Sequence, residues 1–143
     1  MQAKTNPSAL DDKLPEITVP VRVRYQECDP MNVAHHSVYP VWFEIARTEL
    51  LRSRGQAYRA LEAAGVFLVV AKLSIRYRRP ALYDDQLTIR AVSLPTAGVK
   101  LEHTYEVRRD GELLAKAETT LACVDRDGKL RPVPEGVLNP VAD

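Results

Sequence analysis

The segment from Ser37 to Arg54 constrains the fold more than any other part of this 143-residue chain. Placed at about 100° per residue, Val41, Trp42, Phe43, Ile45, Ala46, Leu50 and Leu51 occupy most of the circumference of a helix. A helix that is apolar nearly all round is buried, so something must wrap around it. The ends carry matching signals. Ser37 stands where an N-cap belongs, and Pro40 falls in the first turn, where a missing N–H leaves no bond unmade. Arg52 and Arg54 suit the negative end of the helix dipole, and Gly55 suits a left-handed C-cap.

The wrapping layer is written in the rest of the chain. Ile17 to Tyr25 alternates, with Val19, Val21 and Val23 on one face and Arg22 and Arg24 on the other, which is a strand pattern. A shorter helix from Gln56 to Ala64 ends at Gly65. Strands are expected at Val66–Arg78, Gln86–Leu94, Val99–Arg108 and Glu112–Val124. Asp110-Gly111 joins the last two as a tight hairpin, and Asp127-Gly128 makes a further turn. One strand, two helices and four closely linked strands predict an α+β fold, a five-stranded antiparallel sheet wrapped around a long central helix. Residues 1–16 read as a polar tail, 17–131 as the domain and 132–143 as an irregular, proline-rich end.

A formal net charge of +1, spread along the chain, leaves no electrostatic footprint for nucleic acid. The longest apolar run, Val66 to Ala71, is far short of a membrane span. Two cysteines and no apolar leader fit a cytoplasmic protein. No cofactor is expected. His35 and His36 invite a metal, but adjacent residues point differently and no third and fourth ligands accompany them.

The densest chemistry lies between Asp29 and Tyr39. Asp29 sits just ahead of a helix whose first N–H groups have no intrahelical partners. Those N–H groups, at the positive end of the dipole, can stabilise an oxyanion. A carboxylate beside such a hole suffices for acyl transfer, by direct attack or by activating water. The plainer alternative is that Asp29 only begins an Asp-Pro turn.

Asp29 to Arg54, with the run Tyr77-x-x-Pro80-x-x-x-Asp84, resembles the 4-hydroxybenzoyl-CoA thioesterase family of hotdog-fold enzymes. The residues that carry the likeness are Asp29, His36, Tyr39, Trp42-Phe43-Glu44 and Ala46-Arg47-Thr48-Glu49. The resemblance implies hydrolysis of an acyl-coenzyme A thioester. Asp29 would be the catalytic carboxylate, and the His36 backbone N–H would polarise the thioester carbonyl. It also implies homodimers with sites at the subunit interface, often paired into homotetramers. Asn32, Val33, Tyr39 and Lys100 are the candidates for substrate contact. Many members have glycine where this chain has Asn32, which tolerates left-handed geometry better than most residues. The loop before the fourth strand lacks the arginines that meet coenzyme A phosphates in some members, leaving Lys100. Arg76, Arg78 and Arg79 are looser candidates, with a solvated sheet face as the simpler reading for Arg76 and Arg78.

Among the remaining residues, Glu44 and Arg47 are spaced to pair with each other. Glu49 reads as a hydrogen-bonded structural carboxylate and Cys28 as a packed thiol. Two rival functions share the fold. One is a hydroxyacyl-thioester dehydratase using His35 or His36 with Glu49. The other is a non-catalytic acyl-CoA-binding module. The depth of an acyl pocket would depend on how Val33, Trp42, Leu68 and Val70 pack.

Overall fold

The structure, a computed structural model, describes residues 14–55, 57–95 and 98–138. The first strand, β1, spans Glu16–Arg22, and the central helix, α1, spans Tyr39–Ser53. A short helix α2, Tyr58–Ala63, leads into β2, Phe67–Tyr77. Strands β3, Gln86–Ser93, β4, Lys100–Arg109, and β5, Glu112–Val124, follow, and a last turn of helix, α3, covers Glu135–Leu138. The five strands form one sheet in the order β1-β3-β4-β5-β2, with every neighbouring pair antiparallel. This is the expected α+β architecture. Among the described residues, no helix is long and apolar enough to cross a membrane.

Period-two patterning builds the inner face of the sheet. Leu87, Ile89 and Ala91 on β3, Leu101, Tyr105 and Val107 on β4, and Ala117 and Leu121 on β5 are all buried. Leu87, Ile89, Ala91, Tyr105, Val107 and Ala117 meet Tyr39, Trp42, Phe43, Ala46 and Leu50 of α1, with Phe43 stacked on Tyr105 at 4.6 Å between ring centroids, while Leu101 and Leu121 cluster with Leu51. The hairpin after β4 turns on Asp110 and Gly111, both at positive φ, the geometry that Asp-Gly favours.

The enclosure of α1 is one-sided. Val41 is 45 % exposed and Ile45 41 %, so one flank of the helix is open in the single chain. A five-stranded sheet covers one side of a helix and part of its circumference, which leaves this apolar flank uncovered among the described residues. The start of the helix also differs from expectation. Ser37 does not cap α1; Val38 occupies that position without a side-chain bond. A 3₁₀ turn, His36–Val38, precedes the helix, and His35 caps it, its Nδ1 accepting from the Ser37 N–H at 3.2 Å. Pro40 sits in the first turn and Gly55 adopts φ 77°, as the sequence suggested.

Residues 132–138, irregular but for one helical turn, pack onto the domain. Val133 and Val137 are buried against Leu51, Leu61, Leu101 and Leu121. The Arg131 N–H donates to the Cys123 carbonyl and the Val133 N–H to that of Gly98, both at 2.9 Å.

Two apolar clusters fill the interior, with buried polar groups alongside them. Arg47 does not pair with Glu44; it turns inward, 6 % exposed. Its Nε donates to the Tyr58 hydroxyl at 3.0 Å and its Nη1 to the Tyr105 hydroxyl at 3.1 Å. The Tyr105 and Thr119 hydroxyls lie 2.6 Å apart. His103 is buried on the same sheet face, its Nδ1 without a partner among the described residues. Burial, helped by the Arg47 charge, pushes its pKa from 6.5 down to about 3. The folded state therefore holds this imidazole neutral, whereas the unfolded chain protonates it below its ordinary pKa. Stability from this group is complete above about pH 6.5 and declines as pH falls toward 3. In thermal melts at pH 7.5 and 5.0, wild type is expected to lose several degrees more than His103→Phe. Equal losses would remove His103 as a source of the acid sensitivity.

Candidate active site

Residues 28–34 form a closed loop ahead of α1. Cys28 and Ala34 pair as an antiparallel bridge, and the Asp29 N–H donates to the Val33 carbonyl at 2.9 Å. Asn32 stands inside this loop at φ 69°, the left-handed conformation expected of it. The Asp29 carboxylate turns back on its own loop. Its Oδ1 accepts from the Met31 N–H at 2.8 Å and, more weakly, from that of Val33 at 3.4 Å. Oδ2 has no partner among the described residues, and Asp29 is partly exposed. The turn reading and the catalytic reading are thus compatible, since one oxygen builds the turn and the other is open.

A second segment holds this loop from behind, and it contains the Pro80 to Asp84 part of the motif read from sequence. Ala34 donates its N–H to the Ala81 carbonyl at 2.8 Å, Tyr83 to that of Asn32 at 3.2 Å, and Asp84 to that of Val23 at 3.0 Å. Arg22 ties the Asp84 carboxylate at 3.1 Å, and Arg109 ties Asp85 at 2.6 Å. The positions of Asp29 and His36 are therefore set by the sheet as well as by their own loop.

In the turn at the head of α1 the backbone donors can be accounted for one by one. The His35 N–H goes to the Glu27 carbonyl at 2.8 Å, that of Ser37 to His35 Nδ1, and that of Val38 to the His35 carbonyl at 3.0 Å. The His36 N–H alone of these four has no acceptor among the described residues. It stands at the positive end of the dipole of α1. The His36 carbonyl, in contrast, accepts from the Tyr77 hydroxyl at 2.8 Å. His36 also lines a cleft of about 290 Å³ with Ala34, Tyr39, Tyr77, Arg78, Arg79 and Pro80. Tyr39 is almost wholly buried and meets the Tyr77 ring edge-on at 4.9 Å. Burial raises the pKa of both phenols, which keeps them neutral.

The candidate residues divide by place. Asp29, Asn32 and Val33 share one loop, and His36 and Tyr39 follow it at the head of the helix. Asp29 does not itself line the cleft beside His36. Lys100 is not brought to either within the chain. It begins β4, whereas the Tyr77 end of the sheet is aligned with Val107, seven residues further on through Ala115. At about 3.3 Å per residue that is roughly 23 Å. Arg78 and Arg79 lie past the end of β2 on the cleft, and Arg79 pairs with Glu112 at 2.9 Å. Arg76 lies on the far face of the sheet beside Lys116 and Glu118.

Three other readings can now be compared with their surroundings. The imidazoles of His35 and His36 do not point apart; an extended residue followed by a 3₁₀ turn brings their rings to 4.2 Å, tilted by 34°. Glu49 ion-pairs with Arg52 at the helix surface. Cys28 packs against the core, and burial, with the neighbouring carboxylates of Glu27 and Asp29, raises its thiol pKa, which suits a packed thiol. Sequence reasoning gave no role to Glu27, a buried carboxylate that accepts from the Arg24 N–H at 2.8 Å and fixes the turn ahead of Asp29.

An antiparallel sheet around one long helix, with a carboxylate loop at the helix head, defines a hotdog-fold domain of the thioester-handling kind. Residues 23–141 match the thioesterase-like superfamily, and the chain belongs to it. It is 36% identical over 121 residues to the acyl-CoA thioester hydrolase YbgC of Escherichia coli O6:H1, covering 83% of this chain and 90% of that one. It is likewise 36% identical over 115 residues to the acyl-CoA thioesterase YbgC of Haemophilus influenzae, covering 80% and 84%. The crystal structure of a hypothetical protein from Aquifex aeolicus superposes with a TM-score of 0.83 at 29% identity, over 88% of this chain and 99% of that one.

Proposed function

We propose that this chain is an acyl-CoA thioester hydrolase in which Asp29 is the nucleophile or general base and the His36 N–H is the oxyanion donor. The activity follows from the family and from relatives at 36% identity that carry it by name. One observation carries the residue assignment. The only unengaged backbone donor among residues 35–38 belongs to His36, and the same loop system presents an Asp29 oxygen that builds nothing.

In the direct route, the Asp29 carboxylate adds to the thioester carbonyl, the C–S bond breaks, and coenzyme A leaves as thiolate. Water then cleaves the acyl-aspartyl anhydride. In the other route Asp29 takes a proton from water as its oxygen adds to the carbonyl. Both pass through an oxyanion, and one well-aimed donor lowers such a barrier by about 3 kcal/mol. Asn32, Val33 and Tyr39 would flank the acyl group. Arg78, on the cleft and without an ion-pair partner among the described residues, suits a coenzyme A phosphate; Lys100 could serve only from a neighbouring subunit.

A homodimer, alone or paired into a homotetramer, would complete the site. Strand β2 is a long edge strand, paired on one side by β5. It exposes Val69, Val70 and Leu73, and Val41 and Ile45 of α1 are exposed as well. Bare apolar edges of this length invite pairing with another chain. Both cysteines are free thiols, consistent with a reducing cytoplasm. The dehydratase reading is weaker, because Glu49 lies 13 residues from His36 along the helix, roughly 20 Å within the chain.

Incubation with a panel of acyl-CoAs separates these readings. Thiol release with equimolar free acid, retained in Glu49→Gln and by protein that sediments as a dimer or larger, is the expected result. Hydration of an enoyl-CoA without thiol release would favour the dehydratase. Tight binding without turnover would favour the binding module, and full activity in a monomer would remove the shared interface.

A further inference from the structure

We propose that Tyr77 is a positioning residue for thioester hydrolysis, holding the turn that presents the His36 N–H by donating its hydroxyl to the His36 carbonyl. The inference rests on the assignment of His36 as oxyanion donor. His36 opens a 3₁₀ turn, in which the carbonyl of residue i takes the N–H of residue i+3, here Tyr39. A further α-helical donor at i+4 is ruled out, because that residue is Pro40. The Tyr77 hydroxyl takes the place beside it, 2.8 Å from the His36 oxygen and across 41 residues of sequence.

Tyr77 is well placed to impose this geometry. It is the last residue of β2 and pairs with Ala115 of β5. Just beyond it, the N–H groups of Arg78 and Arg79 both donate to the Leu114 carbonyl, at 2.8 and 3.1 Å. The backbone that carries the phenol is thus pinned to the sheet on both sides. Its ring is braced edge-on against Tyr39, the first residue of α1. One side chain therefore braces both the helix start and the carbonyl three residues before it.

The two peptide groups flanking His36 share its Cα. With the carbonyl held by Tyr77 on one side, the N–H on the other is left aimed outward with no acceptor of its own. Without the hydroxyl, the His36–Ser37 peptide loses a tie on its carbonyl side and keeps the Ser37 N–H bond to His35 Nδ1, and any tilt it takes up moves the His36 N–H direction with it. A misplacement of about 1 Å in a catalytic group can cost on the order of 100-fold.

The test uses the full chain and an acyl-CoA that wild type hydrolyses. Tyr77→Phe keeps the ring against Tyr39 and removes only the hydroxyl. It is expected to lower kcat about tenfold with KM within about twofold of wild type and an unchanged melting temperature. Loss of packing would lower the melting temperature together with kcat, whereas loss of positioning lowers kcat alone. An unchanged kcat in Tyr77→Phe, a defect confined to KM, or a fall in melting temperature that accounts for the lost kcat would each overturn the assignment. Asp29→Asn is measured beside them. If it hydrolyses normally, the reading of the whole site fails; if it is dead while Tyr77→Phe is fully active, only the role of Tyr77 fails.

Discussion

Asp29→Asn is expected to lower kcat by about 10²–10⁴-fold while leaving KM and the melting temperature near wild type. The substitution separates the two duties of this side chain. The turn needs an oxygen that accepts from the Met31 N–H at 2.8 Å, and the amide oxygen of asparagine accepts as well as a carboxylate oxygen does. The loop, with its Cys28–Ala34 bridge, should therefore keep its shape. The chemistry needs the second oxygen as an anion, to attack the carbonyl or to take a proton from water. An amide nitrogen can do neither. Steady-state kinetics and thermal melts on the same preparation read both duties together. A large fall in melting temperature would return Asp29 to the role of turn residue.

Arg47→Ala is expected to cost about 2–4 kcal/mol of stability, and Arg47→Met distinctly less. Arg47 lies inside the domain, and its partners are the hydroxyls of Tyr58 and Tyr105. Alanine leaves a void and strips the donors from both hydroxyls; Tyr105 keeps Thr119, but Tyr58 has no such second partner among the hydrogen bonds of the described residues. Methionine fills the volume of the aliphatic stem and removes a buried charge that was itself costly to desolvate. Urea midpoints at unchanged m-value measure the difference. Equal losses in the two variants would mean that the guanidinium bonds, rather than the packing, dominate.

Arg47 also shows where reading residues by local spacing stops. Glu44 and Arg47 are three apart on a helix, and for an exposed pair that spacing is informative. Whether the pair is exposed depends on Tyr58 and Tyr105, which come from α2 and β4 and have no periodic relation to Arg47. The features that were legible are those set within a few residues. The apolar circumference of α1, the alternation of the strands, the Asp110-Gly111 hairpin and the left-handed Asn32 all have local causes. The true cap was missed because His35 competes with Ser37 for the same turn through its ring nitrogen. The open flank at Val41 and Ile45 was missed because residue pattern gives the width of an apolar stripe, not the number of strands that cover it. Val133 and Val137 were missed because proline-rich composition describes an irregular backbone and says little about burial.

The candidate site divides in the same way. Asp29 and the helix head were visible as a carboxylate next to unpaired donors, and the family resemblance named the His36 N–H. The hydrogen-bond inventory of the turn leaves that N–H without an acceptor among the described residues. The ties from Ala81 and Tyr83 to the Asp29 loop, and from Tyr77 to His36, join segments some 40 to 50 positions apart. Only the folded chain brings them together.

Single-turnover thiol release, with wild type and Asp29→Asn each in excess over one acyl-CoA from the panel, tests the site most directly. Wild type should release one coenzyme A thiol and one free acid per substrate. Asp29→Asn should bind the same acyl-CoA with similar affinity and hold the thioester intact. Thiol release by Asp29→Asn at close to the wild-type rate would contradict Asp29 as the catalytic carboxylate.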